Sequence, residues 1–184
     1  MRVKFIIAFV LGVVAAILIG LLAARPKADA AEAPAPAIPH WLAVEHEAIH
    51  ATLVEATKAP GEVGVAAREL AGVLHAHFVR EEEIALPPLG LLAPLAAGEK
   101  EPAGAKEALA MSDALKAELP RMLEEHKVIR AAVEKLRVAA VAEKSAKFEQ
   151  LAVDLALHAQ SEEDVFYPAA VLVGEVLRAR AASH

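Results

Sequence analysis

The chain has 184 residues, and aromatic residues make up only 4% of it, so a core of β-strands with aromatic side chains is not expected. Its net charge is −6 at pH 7, and because an acidic surface repels phosphate, no nucleic acid is expected as a partner. The sequence contains no cysteine, which excludes disulfides, thiolate zinc sites and thiol nucleophiles.

The first predicted element is a hydrophobic segment at the N-terminus. Residues 5–24 contain no charge and no proline, and such a helix, at about 1.5 Å per residue, crosses a bilayer core of about 30 Å. We therefore assign residues 1–27 to a transmembrane anchor or signal segment, with cleavage near Ala28-Asp29-Ala30 left open. Arg2 and Lys4 precede the segment, which favours a single-pass protein of the inner membrane with its domain in the periplasm. The lipid bilayer is then one expected partner.

Residues 28–39 are rich in alanine and proline and indicate an extended linker. From residue 40 to 184, apolar residues recur at spacings of three and four, which is typical of helices with one buried face. No part of this region alternates with a period of two. The sequence thus predicts an all-α domain over residues 40–184.

Prolines and glycines divide this domain into four predicted helices. The first begins at Pro39 and ends at Pro60-Gly61, the second covers residues 62–86, the third covers residues 106–140, and the fourth begins near Ala142. Pro120 is expected to kink or restart the third helix, and Pro168 to kink or end the fourth. Helices in this order, with two similar halves, predict an antiparallel up-down four-helix bundle with a pseudo-twofold internal repeat.

The two halves repeat one pattern of potential metal ligands. The matched residues are Glu45-His46 with Glu125-His126, and His77-x-x-x-Glu81 with His158-x-x-x-Glu162. Because residues four apart lie on one face of a helix, each His-x-x-x-Glu pair directs a nitrogen and an oxygen donor to the same region. The repeat therefore predicts a metal site between the halves.

Imidazole and carboxylate ligands without sulfur suit iron or manganese, with zinc a further option. Glu81 and Glu162 would offset part of the charge of two buried divalent ions, and those ions would in turn make the buried carboxylates tolerable. His50 follows His46 by one helical turn, whereas Arg130 stands at the matching place in the second half. With His50 included, the candidate ligands are five histidines and two carboxylates.

These motifs resemble the hemerythrin-like, HHE cation-binding domain over about residues 40–170. The resemblance implies a four-helix bundle around a non-haem centre of two iron ions that binds O2 or, in some members, NO. The ligands it implies are His46, His77, Glu81, His126, His158 and Glu162. Oxygen-carrying hemerythrins have His-x-x-x-His on the third helix, whereas this chain has it on the first. With the halves exchanged, His46, His50 and His77 would hold one iron, and His126 and His158 the other.

The expected role is a binding protein, tethered to the membrane, that takes up O2 or NO for storage, delivery, sensing or scavenging. Two enzymatic alternatives stay open. One is a di-iron peroxidase or NO-reducing activity at the same site. The other is a zinc metalloprotease, because residues 46–50 fit the H-E-x-x-H pattern.

The remaining polar residues near the motifs receive plainer interpretations. The acidic residues that follow the two ligand carboxylates are expected to form a solvated face, with contact to the ligand histidines as the less favoured alternative; they are Glu82, Glu83, Glu163 and Asp164. Tyr167 is expected to be a packing residue rather than a residue of the site.

Overall fold

The computed structural model describes residues 35–183. The predicted transmembrane or signal segment, residues 1–27, lies outside the described residues, as does most of the predicted linker. Within residues 35–183, no helix combines the length and the hydrophobicity that crossing a bilayer requires.

Residues 35–183 form six α-helices and no strand. The helices are α1 (His40–Thr57), α2 (Gly61–Arg80), α3 (Leu92–Ala96), α4 (Ala105–Ala142), α5 (Ala146–Ser161) and α6 (Tyr167–Ala181). Contacts join α1 to α2, α2 to α4, α4 to α5 and α5 back to α1, so these four helices close a ring; α6 extends α5 along α4. The prediction of an all-α four-helix bundle is therefore confirmed.

The turn between α1 and α2 is held by the neighbouring turn between α4 and α5. Gly61 has a φ of 73°, a conformation that glycine adopts at little cost. A Cβ at Gly61 would also collide with the carboxylate of Glu143. That carboxylate accepts a hydrogen bond from the amide of Glu62 at 2.6 Å, as expected for an acidic group at a helix N-terminus.

A π-helical turn follows α2 and another follows α5, and each begins at the glutamate of the His-x-x-x-Glu pair of its half. After α2 the turn covers Glu81–Ala85, and after α5 it covers Glu162–Phe166. A proline follows each turn closely, at Pro87 and at Pro168. Such turns contain one more residue than an α-helical turn and often occur at functional sites.

The structure refines two boundaries predicted from proline positions. The second helix ends before Pro87-Pro88 as predicted, since its π-helical turn stops at Ala85, and the chain then forms a short 3-10 helix, Pro87–Leu91. The fourth does not end at Pro168, because helix resumes at Tyr167 and runs to Ala181. Proline is well tolerated in the first turn of a helix, where its missing amide has no partner to lose. Pro120 lies inside α4, which continues through it.

Two layers of apolar side chains fill the bundle on either side of a polar layer. One contains Ile49, Leu53, Leu70, Leu74, Ile129, Leu136 and Leu155 among others. The other contains Leu42, Leu86, Leu115, Met122 and Tyr167. Along α1, for example, His46 lies between Leu42 of one layer and Ile49 of the other. The polar layer is thus enclosed by the hydrophobic core at both ends.

Candidate metal centre

The polar layer consists of six buried side chains from four helical segments. They are His46 of α1, His77 and Glu81 of α2 and its π-helical turn, His126 of α4, and His158 and Glu162 of α5 and its π-helical turn. None of them is more than 4% exposed. Six polar side chains enclosed in an apolar core would be strongly unfavourable unless their donors and acceptors were satisfied together.

The six side chains form two groups that share both carboxylates. Group 1 is His46, His158, Glu81 and Glu162, and group 2 is His77, His126, Glu81 and Glu162. Within each group, one ligand atom from every residue lies within 4.8 Å of the others. The shared carboxylates place the two groups next to each other, as a pair of bridged metal ions requires.

The spacing of the donor atoms suits a metal ion. The Nε2 atoms of group 1 lie 3.0 Å apart and those of group 2 lie 2.8 Å apart. In each His-x-x-x-Glu pair, the imidazole Nε2 lies 3.0 Å from the carboxylate. Metal–ligand bonds of about 2.0–2.2 Å place neighbouring donors on one ion roughly 3 Å apart. The four donors of each group therefore have the separations of ligands around one ion.

The pairing of histidines differs from the division that the resemblance implied. His46 is paired with His158, and His77 with His126, whereas the expected division put His46 with His77. The order of helices around the bundle permits this pairing, because α1 adjoins α5 and α2 adjoins α4. Each group therefore takes one histidine from each half of the chain.

The structure does not place His50 in either group. His50 is exposed on α1 and lines a groove between α1 and α2. The H-E-x-x-H arrangement of a zinc metalloprotease needs both of these histidines on one ion, and only His46 is in a group.

Several buried atoms of the polar layer have no hydrogen-bond partner. These include Glu81 Oε2 and Glu162 Oε1. In each group two imidazole nitrogens also face each other at contact distance, an arrangement that repels unless a proton or a cation lies between them. A pair of cations would satisfy the carboxylates and the facing nitrogens together, so the side chains present fit a pair of metal ions.

The Nδ1 atom of each of the four histidines faces a carboxylate from a neighbouring helix. We call Glu45, Glu82, Glu125 and Glu163 the orienting carboxylates. The pairs are His46 with Glu82 at 3.4 Å, His77 with Glu125 at 2.9 Å, His126 with Glu163 at 2.7 Å and His158 with Glu45 at 3.3 Å. The first three pairs are hydrogen bonds, whereas His158 Nδ1 lies near Glu45 without a hydrogen bond. An ionised carboxylate only accepts, so in those three pairs Nδ1 is the donor and Nε2 keeps its lone pair for a metal.

Contact with the histidines was only the less favoured prediction for two of the orienting carboxylates, and Glu45 and Glu125 were not predicted to make it. Glu82 and Glu163 were expected in a solvated acidic face, and only Glu83 and Asp164 remain without a histidine partner. The signal was present: each orienting carboxylate is directly adjacent to a metal-group residue, before the histidine of α1 and α4 and after the glutamate of α2 and α5. Each helix thereby orients a ligand of its neighbour.

Tyr167 also belongs to this layer and is not merely a packing residue. Its side chain is fully buried, and its hydroxyl donates a hydrogen bond to Glu81 Oε1. The hydroxyl oxygen of Tyr167 lies 3.2 Å from His126 Nε2 and 3.4 Å from His77 Nε2. Burial, followed by the charge of Glu81, raises the pKa of the Tyr167 hydroxyl.

The electrostatics of the layer are those of imidazoles beside carboxylates. Burial alone would lower the pKa of His126, but hydrogen bonds to Glu162, Glu81 and Glu163 outweigh it and raise that pKa to about 10. His158 responds in the same way, chiefly to Glu162, and its pKa rises to about 9. The pKa of the Glu162 carboxyl falls well below its usual value, because hydrogen bonds from the histidines outweigh burial. Without a metal, protons on the imidazoles supply the positive charge that the carboxylates need.

Two open volumes adjoin the layer. A cavity of about 10 Å³ touches both groups and is otherwise lined by apolar side chains such as Phe78 and Ala159. A groove of about 880 Å³ between α1 and α2 is lined by His46 and by Phe78, which stacks on the His46 ring at 4.5 Å between centroids. The cavity has about the volume that one water molecule requires.

The comparison with protein families agrees with this geometry. The model of the hemerythrin HHE cation binding domain matches residues 37–170. Neither the curated proteins nor the solved structures yielded a match. The matched region contains all six residues of the two groups, all four orienting carboxylates and Tyr167. By this match over most of its length, the chain belongs to the hemerythrin HHE cation-binding domain family.

Proposed function

We propose that this domain holds two non-haem iron ions, one in each group, and binds O2 or NO there for storage, delivery, sensing or scavenging. The observation that supports this best is the sharing of Glu81 and Glu162 by both groups. A further part of the proposal is that residues 1–27 tether the domain to the inner membrane, with the bundle and its pseudo-twofold repeat in the periplasm.

Two ions suit the layer better than one because of charge. Glu81 and Glu162 are buried to within 1% of full burial, and isolated carboxylates in such a place would be costly. One ion in group 1 alone would leave the nitrogens of group 2 facing each other at 2.8 Å without a partner. Occupation of both groups satisfies all six side chains.

The donor chemistry favours iron. Each group offers two imidazole nitrogens and two carboxylates, a set that suits iron or manganese, with zinc also compatible. The orienting carboxylates increase the basicity of each imidazole and fix the ring that presents Nε2. Iron in two oxidation states supplies the electrons that binding a diatomic molecule requires.

The enclosure of the layer favours a very small ligand. Each group has four donor residues, fewer than the six of an octahedral ion, so a further ligand has room to bind. The cavity that touches both groups has a volume of about 10 Å³, which admits a molecule about the size of water. The apolar side chains around it exclude larger polar substrates.

A second candidate is a di-iron enzyme that acts on peroxide or NO. It is favoured by the Tyr167 hydroxyl, a proton donor that lies within 3.4 Å of two group 2 nitrogens. Both candidates use the same layer, and only turnover distinguishes them.

Metal analysis of the purified full-length protein, with optical spectra in air and under argon, tests the proposal. We expect two iron ions per chain and a spectrum of bound gas that disappears reversibly on degassing. Turnover of peroxide or NO would favour the enzyme instead. A stoichiometry of one zinc per chain would contradict both iron candidates.

Substitution of the ligands tests the assignment of the layer. His77→Ala and His158→Ala each remove a buried nitrogen and leave a carboxylate unpartnered, so both should lower the iron content. His75→Ala is the matched control, because His75 is exposed two residues before His77. Unchanged iron content in both ligand variants would refute the assignment.

Cell fractionation tests the tether. The full-length protein should sediment with the inner membrane and be degraded by protease added to the periplasmic side. A variant lacking residues 1–27 should not sediment with the membrane. Recovery of the full-length protein in a soluble fraction would contradict the tether.

A further inference from the structure

The two halves of the chain differ at one buried position beside the polar layer. Tyr167 follows His158 by nine residues, and Leu86 follows His77 by the same interval. Both side chains are fully buried in the same apolar cluster. The repeat therefore has a hydroxyl in the second half where the first half has only methyl groups.

The Tyr167 oxygen occupies the position of an additional donor in group 2. It lies 3.2 Å and 3.4 Å from the two Nε2 atoms of the group, close to the 2.8 Å that separates those nitrogens from each other. The Tyr167 hydroxyl also donates a hydrogen bond to Glu81, one of the two carboxylates of group 2. Neighbouring ligands of one ion are separated by roughly 3 Å when the metal–ligand bonds are about 2.0–2.2 Å.

We propose that Tyr167 is a ligand of group 2, binding its metal ion through the phenolate oxygen, so that the two ions have different donor sets. This inference rests on the proposed function, since it requires a metal ion in group 2. Binding breaks the phenol O–H bond and forms a metal–oxygen bond, and the proton leaves to solvent. A bound cation favours such deprotonation of a ligand that is neutral without it.

A phenolate gives group 2 three kinds of donor and group 1 two. The extra negative charge favours a more oxidised or more strongly Lewis-acidic ion in group 2. Group 1 is then left with fewer donors and with an imidazole, His46, that lines the open groove. Because group 1 has fewer donors and borders the groove, exogenous ligands are expected to bind at the ion of group 1.

The composition of the chain makes this inference unusually simple to test. Tyr167 is the only tyrosine, and there is no cysteine. Any tyrosinate signal that appears on metal binding therefore comes from Tyr167, and no thiolate band can be mistaken for it.

The experiment begins with full-length protein freed of metal by a chelator and titrated with zinc, which has no d–d bands of its own. Ultraviolet difference spectra should show formation of one tyrosinate per chain, while metal analysis counts the bound zinc. Loading with ferrous iron in air should then give a visible phenolate-to-iron band, with tyrosine ring modes in the resonance Raman spectrum. Tyr167→Phe should lose that band and bind one of its two metals at least about tenfold more weakly.

Leu86→Met is the matched control, a change of similar volume at the corresponding position of the first half. It should keep the tyrosinate signal and both affinities. Two bound zinc ions with the phenol spectrum intact would overturn the inference and leave the proposed function standing. Absence of any bound metal would instead overturn both. A visible iron band shared unchanged by wild type and Tyr167→Phe would also overturn the inference.

Discussion

The two metal groups share their carboxylates but differ in how firmly their histidines are held. In group 2, the orienting carboxylates Glu125 and Glu163 lie 2.9 Å and 2.7 Å from their histidines. In group 1, Glu82 and Glu45 lie at 3.4 Å and 3.3 Å. The side chains of Glu82 and Glu45 are also more exposed, at 52% and 41% against 31% and 22%. Group 2 therefore has the shorter orienting contacts and the better shielded carboxylates.

The difference arises at positions where the repeat is not kept. Arg121 and Arg130 hold the carboxylates of group 2, at 2.8 Å from Glu125 and 2.5 Å from Glu163. The matching positions of the first half, eighty residues earlier, are Trp41 and His50. Among residues 35–183, no arginine or lysine pairs with the orienting carboxylates of group 1. The residues repeated in both halves provide the ligands, whereas Arg121 and Arg130, which are not repeated, hold the orienting carboxylates of group 2 in place.

The largest expected effect comes from removing what the groups have in common. Glu162→Ala should lower the bound metal from two ions per chain to fewer than one, because both groups lose a donor and His126 and His158 lose their main partner. Metal analysis after dialysis measures this. Asp164→Ala, an exposed change in the same turn, is the control. Loss of one ion only would show that Glu162 serves a single group.

Lowering the pH should weaken metal binding by nearly the same factor in both groups. In the metal-free protein, His126 holds a proton below pH about 10 and His158 below pH about 9, and a metal must displace it from each. Lowering the pH from 8 to 6 should therefore weaken both affinities by about tenfold per pH unit for each displaced proton. Competition with a calibrated chelator measures both constants. An affinity that is constant over this range would show that neither histidine is protonated.

Removing an orienting carboxylate should affect one group more than the other. Glu163→Gln should weaken one of the two affinities by about 10- to 100-fold, because a neutral amide replaces the carboxylate that faces His126 Nδ1. Glu82→Gln should have a smaller effect, because its contact to His46 is longer and more exposed. A two-site calorimetric titration with zinc measures both. Equal effects of the two changes would remove the distinction between the groups.

The smallest expected effect comes from the arginine that holds Glu163. Arg130→Ala should weaken binding in group 2 by about two- to fivefold, the usual value of a partly exposed ion pair. Arg137→Ala, which breaks an exposed pair with Glu134, is the control and should leave both affinities unchanged. The same zinc titration applies, and an effect of Arg130→Ala on both constants would contradict its assignment to one group.

The ligand layer could be predicted from the sequence because its residues are repeated. His77 and Glu81 lie on one helical face, and their counterparts His158 and Glu162 recur at a constant interval, so periodicity and repetition point to the same side chains. The apolar spacing that predicts the bundle depends on the same periodicity. The spacing of the ligands and the spacing of the apolar residues are both read along one helix, and neither depends on how the helices pack together.

The contacts between helices could not be predicted in the same way. The pairing of His46 with His158 depends on which helices adjoin, and the role of Glu163 depends on the rotation of α5 relative to α4. His50 has the residue type and spacing of a ligand, but it lies on the side of α1 that borders the open groove. The residue pattern along one helix does not specify how that helix is rotated against its neighbours.

The π-helical turn at Glu162–Phe166 sets the register of everything that follows it. In an uninterrupted α-helix, five residues advance the side-chain direction by about 500°, so the residue five after Glu162 would point away from it by about 140°. The additional residue of the wider turn brings Tyr167 back into line with His158 and Glu162. Deleting one residue from 163–165 would turn the wider turn into an ordinary α-helical one and place the tyrosine four residues after Glu162, within about 40° of it. The wider turn therefore lets the chain carry one more residue beside its ligands while a phenol stays at the centre of the layer.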